Sequence, residues 1–321
     1  MLGRPAGAIS AFTFSLQSRI LGEDFARSAR PTASCLWLRA ATRGKCQVRL
    51  TARGTGFLVY DEVLDAEAFH NLWNFMQRTQ YCWVHAQGWL KAWRLTDGTP
   101  LGGPPCFSDP ETATLLNPGA APPPGSCYPT GRPIDALLAL IAAGQADWTG
   151  LIGQRGQNWI GFTAKPFLYP QGAGLSWHED TGSYTGAFVY YAHPQWNVQW
   201  GGELMFTAEV EGDRARNQAS IYSRDPAART GQHLDNALEN ERLMERGLGQ
   251  FVFAKPNRLI IVQTGVAHAI NPVTRAAGDH VRASIAGFFI ATPAERQRRA
   301  AALRGACAPA AGMAEIRGQH T

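Results

Sequence analysis

The chain has 321 residues, of which 45% are hydrophobic, and a formal net charge of +5 at pH 7. This length and apolar content suffice for one large buried core, which excludes a wholly disordered chain. The positive charge lies at the two ends: residues 1–53 carry +7 and residues 294–321 carry +3, which leaves 5 − 10 = −5 for the residues between them. An acidic body argues against a basic groove for a phosphate backbone, so we expect no nucleic-acid partner.

The sequence carries no clear targeting or membrane signal. It has no apolar run of about eighteen residues, and its N-terminus lacks the pattern of a secretory signal. The six cysteines include no C-x-x-C pair and form no cluster suited to zinc. We therefore expect a soluble, cytoplasmic protein with reduced thiols and no membrane partner.

The first ordered element is predicted just after residue 52. Residues 1–52 are rich in Arg, Ala and Ser and lack periodicity, which indicates a disordered or mis-called N-terminal extension. The run FLVY then leads to Asp65, a plausible N-cap, and apolar residues follow it at helical spacing. They predict a helix that packs on a sheet. These residues are Phe69, Leu72, Trp73 and Met76.

A long segment dense in Pro and Gly follows at residues 99–133, and it exceeds the length of an ordinary connection. We interpret it as a lid or a surface loop. The next run, IDALLALIAAG at residues 134–144, predicts a short apolar helix that covers the sheet.

Strand patterns dominate beyond Trp159. Five runs are short, rich in β-branched and aromatic residues, and separated by turn signals. They are FTAKPFLYP, GAFVYYAH, GELMFTAEV, RLIIVQTG and RASIAGFFI. Many short strands preceded by helices, without a βαβ rhythm, predict a mainly β (α+β) fold with a jelly-roll core and helical cover.

These patterns predict one domain between two flanking segments. The domain covers residues 53–293, with helical and loop cover at 60–155 and the jelly-roll core at 156–293. A polar segment at 211–250, which includes a predicted exposed helix, interrupts the core as an insertion. Residues 294–321 form a tail rich in Ala and Arg.

The stretch LSWHED places His178 and Asp180 two positions apart, so both project to the same side of a strand. His268, which follows the apolar strand RLIIVQTG, is the best-placed third ligand, and His280 is a reserve. Two imidazoles and one carboxylate leave open positions on an octahedral ion, as in non-haem Fe(II) oxygenases. Taken alone, the first pair could instead be polar residues at a strand end.

A strand with a cation follows the third candidate ligand. In RASIAGFF, Arg282 and Ser284 share one face. A guanidinium binds a carboxylate through two parallel hydrogen bonds, and a neighbouring hydroxyl can add a third. A buried arginine without an acidic partner is costly, so a dicarboxylate cosubstrate is one interpretation and a structural salt bridge is the other.

Four motifs in order carry a resemblance to a known family. They are YPQGAGLSWHED, HPQWNVQWGGELMF, RLIIVQTGVAHAINPV and RASIAGFF. Over roughly residues 55–290 the chain resembles the prolyl 4-hydroxylase-like branch of the Fe(II)- and 2-oxoglutarate-dependent dioxygenases. The resemblance implies a double-stranded β-helix that uses Fe(II), O2 and 2-oxoglutarate as cosubstrate, with ascorbate as a supporting reductant.

The resemblance also assigns roles to matching positions. The implied catalytic metal ligands are His178, Asp180 and His268. The implied 2-oxoglutarate contacts are Arg282, Ser284 and Tyr169. For the substrate, the candidates are Trp93 and Arg94 in the run GWLKAWRLTDG, together with Trp177 beside the first ligand. Ordinary packing accounts equally well for Trp93, and Trp177 is more typical of a barrel wall or core than of a specific substrate contact.

The resulting hypothesis is a dioxygenase that hydroxylates an unactivated C–H bond of a small molecule, such as an amino acid or a biosynthetic intermediate. 2-Oxoglutarate would be decarboxylated to succinate and CO2. Asp180 fills the position that related halogenases leave empty, which disfavours halogenation. Two alternatives stay open: a prolyl hydroxylase acting on a protein or peptide, and a non-catalytic, cupin-like metal-binding module.

Overall fold

The computed structural model describes residues 48–84, 95–180, 183–207 and 237–306. The predictions for residues 1–47 and for the first part of the insertion, up to residue 236, lie outside this part of the chain. None of the helices in the described ranges is long and apolar enough to cross a membrane.

The described residues form thirteen strands and six helices. The strands are β1 (Leu50–Gly54), β2 (Phe57–Tyr60), β3 (Cys82–Trp83), β4 (Leu101–Gly102), β5 (Cys106–Phe107), β6 (Trp159–Tyr169), β7 (Leu175–Glu179), β8 (Tyr184–Tyr191), β9 (Leu204–Thr207), β10 (Gly249–Val252), β11 (Leu259–Gln263), β12 (Ala267–Ile270) and β13 (Arg282–Ala291). The helices are α1 (Ala66–Arg78), α2 (Pro110–Leu116), α3 (Asp135–Ala143), α4 (Thr149–Ile152), α5 (Ala237–Glu245) and α6 (Pro293–Ala306).

The strands form two antiparallel sheets. The larger sheet has the order β1-β2-β11-β8-β13-β6-β4-β3, with β5 paired to β6 outside this path, and the smaller sheet has the order β10-β9-β12-β7. Successive strands from β6 to β9 and from β11 to β13 alternate between the two sheets. This alternation is that of a double-stranded β-helix, so the predicted jelly-roll core with helical cover is confirmed.

Apolar side chains cover both faces of the larger sheet. On one face, Leu72 of α1 and Leu137 of α3 are fully buried in a cluster that includes Phe162 of β6. On the other face, a second cluster joins the two sheets, with Tyr169 of β6 and Phe206 of β9 among its members. Because alternate residues of a strand face opposite sides, β6 contributes to both clusters.

The helix α1 begins where the sequence predicts. The carboxylate of Asp65 accepts a hydrogen bond of 2.8 Å from the amide of Ala68, which satisfies one of the free N–H groups of the first turn. Leu72 and Met76 are completely buried, and Phe69 packs against the same cluster. The predicted apolar stripe therefore docks on the larger sheet.

The segment 99–133 is not the lid or free surface loop that the sequence suggests. Its strands β4 and β5 extend the sheet along β6, and α2 follows them. The carboxylate of Asp109 caps α2 by accepting from the amide of Thr112 at 2.7 Å. The Pro/Gly content concealed these elements because each is only two to seven residues long.

The structure also differs from the predicted domain boundaries. Strand β1 begins at Leu50, ahead of the predicted start at residue 53, and pairs with β2. Strand β10 begins inside the predicted insertion, at Gly249, and belongs to the smaller sheet. The predicted tail begins as the helix α6. Glu295, in the first turn of α6, holds this helix to the domain.

The carboxylate of Glu295 anchors α6 and is only 3% exposed. It accepts hydrogen bonds from Arg298 at 2.7 Å, Arg299 at 2.6 Å and Asn158 at 3.2 Å. Burial raises the pKa of Glu295, but the hydrogen bonds from these three side chains outweigh it and lower the pKa below its ordinary value.

Replacing Glu295 by Gln should lower the free energy of unfolding at pH 7 by about 1–2 kcal/mol, because hydrogen bonds to a charged carboxylate are lost. The loss is limited to this range because one of the two arginines is largely exposed. A carboxyl group with a lowered folded pKa stabilises the fold above its unfolded pKa, and this contribution is lost as the pH falls through the folded pKa. Urea unfolding should therefore show the difference between wild type and variant shrinking below about pH 4.

The matched control is Glu241→Gln, because Glu241 is exposed on α5. This change should alter the unfolding free energy by less than about 0.5 kcal/mol. Equal effects of the two substitutions would contradict the anchoring role of Glu295.

Candidate metal centre

The three predicted metal ligands lie close together on and beside the paired strands β7 and β12. His178 of β7 is paired directly with His268 of β12, and Asp180 follows the end of β7. The distance from Asp180 Oδ1 to His178 Nε2 is 3.8 Å, and from Asp180 Oδ2 to His268 Nε2 it is 3.4 Å. One ligand atom from each residue lies within 4.8 Å of the others, which is close enough to surround one ion.

Backbone carbonyls fix the orientation of both imidazole rings. Nδ1 of His178 lies 2.8 Å from the carbonyl oxygen of Ser176, and Nδ1 of His268 lies 2.8 Å from that of Val266. A carbonyl oxygen only accepts, so each Nδ1 carries the proton and donates it. The lone pair of each Nε2 is therefore directed toward Asp180, in the tautomer that a metal ion requires.

The charges of this cluster depend on each other. Burial raises the pKa of Asp180, but its attraction and hydrogen bond to His268, followed by attraction to His178, outweigh burial and lower the pKa. Burial lowers the pKa of His268, but the attraction and hydrogen bond of Asp180 outweigh burial and raise it. The cluster therefore attracts positive charge, which a proton or a divalent cation can supply.

A buried carboxylate supports the strand that carries His178. Asp97, which is 4% exposed, accepts a hydrogen bond from the amide of Ser176 at 2.9 Å and another from the Ser176 hydroxyl. The carbonyl of the same Ser176 accepts from His178. Asp97 thus holds the residue that sets the ring orientation of His178.

Arg282 lies at the start of β13 and is completely buried. Its Nε donates to the carbonyl of Gly202 at 2.8 Å, and its Nη1 donates to the hydroxyl of Ser284 at 3.2 Å. Within the described residues no carboxylate pairs with this guanidinium. Its contacts with the described residues are all neutral, so its positive charge is available to an anion.

Two tyrosines enclose the guanidinium of Arg282. The Cζ atom lies 4.8 Å from the ring centroids of both Tyr169 and Tyr191. The hydroxyl of Tyr191 lies 3.4 Å from Nη2. A Cβ atom at Gly202 would lie 2.8 Å from Cδ of Arg282, so the glycine leaves the space that the side chain fills. These contacts with the two rings contribute cation–π attraction to a guanidinium that is completely buried.

The site combines a cluster suited to a divalent cation with a buried cation suited to a carboxylate, and a family comparison agrees with both. Residues 165–290 match the family described as the 2OG-Fe(II) oxygenase superfamily. This part of the chain is a 2OG-Fe(II) oxygenase domain. The predicted superfamily and enzyme class are confirmed. Fe(II), O2 and 2-oxoglutarate belong to this family's chemistry, whereas ascorbate stays a prediction.

Solved structures similar to the chain include members of the same superfamily. A prolyl-4-hydroxylase from Pseudomonas putida is 18% identical, with a TM-score of 0.42 over 73% of this chain and 92% of that one. A prolyl hydroxylase from Trichoplax adhaerens, solved with a hypoxia inducible factor peptide fragment, is 15% identical, with a TM-score of 0.45 over 77% and 86%. HygX from Streptomyces hygroscopicus, solved with nickel, 2-oxoglutarate and hygromycin B, is 12% identical, with a TM-score of 0.39 over 74% and 83%. No curated protein sequence matches the chain significantly.

The other predicted residues lie either away from the ligand cluster or outside the described residues. Trp177 alternates with His178 on β7, so it faces away from the three ligands and lines a surface cavity of about 390 Å³. His280 stacks on Trp200 with ring centroids 4.4 Å apart and is not part of the ligand cluster. Trp93 and Arg94 lie outside the described residues.

Sequence reasoning missed Tyr191 and Asp97. From the sequence alone, Tyr191 is an aromatic residue of the barrel wall or core. Its place at the end of a strand that faces Arg282 is the signal that could have identified it. Asp97 lies 79 residues from Ser176, and nothing local indicates that the two interact.

Replacing Asp97 by Ala should lower the unfolding free energy by about 2–3 kcal/mol, because two buried donors of Ser176 lose their acceptor. It should also weaken Co(II) binding to the folded protein by about 10-fold or more, because His178 loses its fixed orientation. Asp97→Asn keeps one acceptor oxygen and should have a smaller effect on both quantities. An alanine variant that is folded and binds Co(II) as tightly as wild type would contradict the positioning role.

Proposed function

We propose that this chain is an Fe(II)- and 2-oxoglutarate-dependent dioxygenase that hydroxylates an unactivated C–H bond of a small molecule. The observation that carries the proposal is the pairing of His178, Asp180 and His268 with a completely buried Arg282 that contacts only neutral groups among the described residues. A structural ion alone would not need the buried cation.

His178, Asp180 and His268 would hold the iron. Their two imidazole nitrogens and one carboxylate form the donor set of non-haem Fe(II) oxygenases and leave coordination positions for other molecules. Bound Fe(II) would supply the redox chemistry that couples decarboxylation of 2-oxoglutarate to oxidation of a C–H bond by O2. The protein's own task is to present three fixed lone pairs in a pocket shielded from water.

Arg282 would bind the distal carboxylate of 2-oxoglutarate. Its Nε is held by Gly202, so Nη1 and Nη2 form the edge that can meet a carboxylate, with the hydroxyl of Ser284 beside them. The rings of Tyr169 and Tyr191 lie beside the guanidinium, each with its centroid 4.8 Å from Cζ. An anion at this edge would supply the charge that the site lacks, which explains why a completely buried arginine is tolerated.

The test is to add Fe(II) and 2-oxoglutarate to the protein without oxygen and to record the visible metal-to-ligand charge-transfer band. The wild type should show the band. Asp180→Ala should abolish it through loss of a ligand. Arg282→Leu should raise the 2-oxoglutarate concentration for half-saturation by at least about 30-fold. Truncating one partner of a buried charge pair costs about 2–5 kcal/mol, and the lower end of this range corresponds to about 30-fold in affinity.

The control for the arginine is Arg275→Leu, because Arg275 is exposed and lies outside the site. This variant should saturate like the wild type. Iron binding without a band at saturating 2-oxoglutarate would sink the proposal and would favour the cupin-like metal-binding alternative.

The affinity for a divalent metal should fall as the pH is lowered. Metal binding needs a neutral His268, and Asp180 raises the pKa of this histidine above its ordinary value of 6.5. Proton competition should therefore begin above pH 6.5, and below the pKa of His268 the apparent dissociation constant for Co(II) should rise about tenfold per pH unit. Calorimetric or absorbance titrations between pH 5.5 and 8.5 test this, and a constant affinity across that range would contradict it.

A further inference from the structure

Lys165 places an amine on the inner face of the jelly roll, apart from the residues already assigned. Alternate residues of β6 face the same side, so Lys165, Phe167 and Tyr169 share the face that belongs to the cluster between the sheets. The Nζ atom lies 5.5 Å from the ring centroid of Phe167, whose ring lies 6.3 Å from that of Tyr169. The amine therefore faces the same interior as Arg282.

The strand register gives the position of Lys165 relative to Arg282. Tyr169 is paired with Arg282, and Lys165 is paired with Ala286, four residues further along β13. Four residues of a strand span about 13 Å. The four carbon–carbon bonds of 2-oxoglutarate, each about 1.5 Å long, span no more than about 6 Å. The cosubstrate is therefore shorter than the main-chain separation of the two cations, and Lys165 is not needed to hold the carboxylate that Arg282 would bind.

Lys165 lies toward the same end of the barrel as Asp180. Phe288, two residues beyond Ala286 on β13, stacks on Tyr184 with ring centroids 4.4 Å apart. The hydroxyl of Thr264 donates to the carbonyl of Asp180 at 2.8 Å and lies 3.2 Å from the carbonyl of Tyr184, which places Asp180 beside Tyr184 at this level. The amine thus stands beyond the cosubstrate carboxylate, near the level of the ligand cluster.

Among the described residues no carboxylate pairs with the amine, which lies over an aromatic ring and beside a glycine backbone. A Cβ atom at Gly102 would lie 3.0 Å from Nζ and 3.5 Å from Cγ1 of Val84, so the amine occupies the space above a glycine backbone. Burial lowers the pKa of Lys165, and the only charge acting on it within the described residues is that of Cys82. By contrast, the exposed Lys255 is paired with Asp61 at 3.0 Å.

We propose that the ammonium group of Lys165 binds a carboxylate of the primary substrate, so that the substrate class is carboxylic acids. The inference rests on the proposed function, because it assumes that Arg282 is occupied by the cosubstrate. An unpaired, partly buried ammonium group is costly, and a substrate carboxylate at this place offsets that cost. The pair would fix the substrate between β6 and the ligand cluster, and an amide or ester of the same molecule would lack the attraction.

The chain offers a direct spectroscopic test because it has only four lysines, Lys45, Lys91, Lys165 and Lys255. Reductive ¹³C-methylation keeps their charge and gives one resolvable NMR signal for each, and Lys165→Arg identifies the signal of Lys165 by its loss. The protein is loaded with Zn(II), a diamagnetic substitute for Fe(II), and with saturating 2-oxoglutarate. The probes are monocarboxylic acids from acetate to phenylacetate, each compared with its primary amide.

At least one acid should shift the Lys165 signal saturably, its amide should not, and the Lys255 signal should stay in place. Gly102→Ala should reduce the acid-induced shift at least fivefold at the same acid concentration, because the added methyl group displaces the amine. The inference is overturned if no acid shifts the Lys165 signal more than its amide does, or if the Lys255 signal shifts equally.

The charge-transfer band separates the two proposals. A band in the wild type together with an unresponsive Lys165 signal would remove the substrate assignment alone. An acid-dependent Lys165 signal without the band would remove the dioxygenase proposal and leave a carboxylate site in the barrel.

Discussion

The register between β7 and β12 is the constraint on which the candidate site depends. It sets His178 directly opposite His268, with both rings in the interior between the sheets. A slip of one residue would turn every side chain of one strand to the other face and would separate the two rings. The main chain also fixes the third ligand, because the carbonyl of Asp180 accepts from the amide of Gly265 and the hydroxyl of Thr264. The turn that delivers one histidine therefore also holds the aspartate.

The same interior accommodates positive charge in two different ways. The guanidinium of Arg282 is held by a carbonyl, hydroxyls and two aromatic rings, all of them neutral. The amine of Lys165 rests on an aromatic ring and a glycine backbone. Both cations lie on strands of the larger sheet. The metal-ligand cluster, which contains the carboxylate of Asp180, lies on and beside strands of the smaller sheet. An acid bound between the sheets would therefore have both cations on the side of the larger sheet and the metal-ligand cluster on the side of the smaller one.

Much of this arrangement is predictable from the sequence because strand periodicity is local. Alternation alone indicates that His178 and Asp180 share a face and that Arg282 and Ser284 share another. The β-branched and aromatic runs locate the strands of the core, and Asp65 marks the start of α1. The choice of His268 as the third ligand needs only the observation that it follows an apolar strand.

The remaining features depend on contacts between distant residues, which a single sequence does not reveal. Asp97 and Ser176 are 79 residues apart, and Asn158 and Glu295 are 137 residues apart. The segment 99–133 has the composition of a loop, yet two short strands and a capped helix form there because β6 offers a free edge for pairing. The substrate role of Trp177 stays a prediction, and alternation along β7 turns this side chain to the face opposite His178.

The ligand set is divided along the chain, since His178 and His268 are separated by 268 − 178 = 90 residues. The unfolded chain therefore cannot gather the three side chains, because closing so long a loop has an entropic cost that only the paired sheets offset. A metal ion would bind the native state far better than the unfolded one, and its occupancy would raise the midpoint of thermal unfolding as its concentration rises. Metal release would in turn be an early sign that the smaller sheet has opened, while the helix-covered side of the larger sheet is still folded.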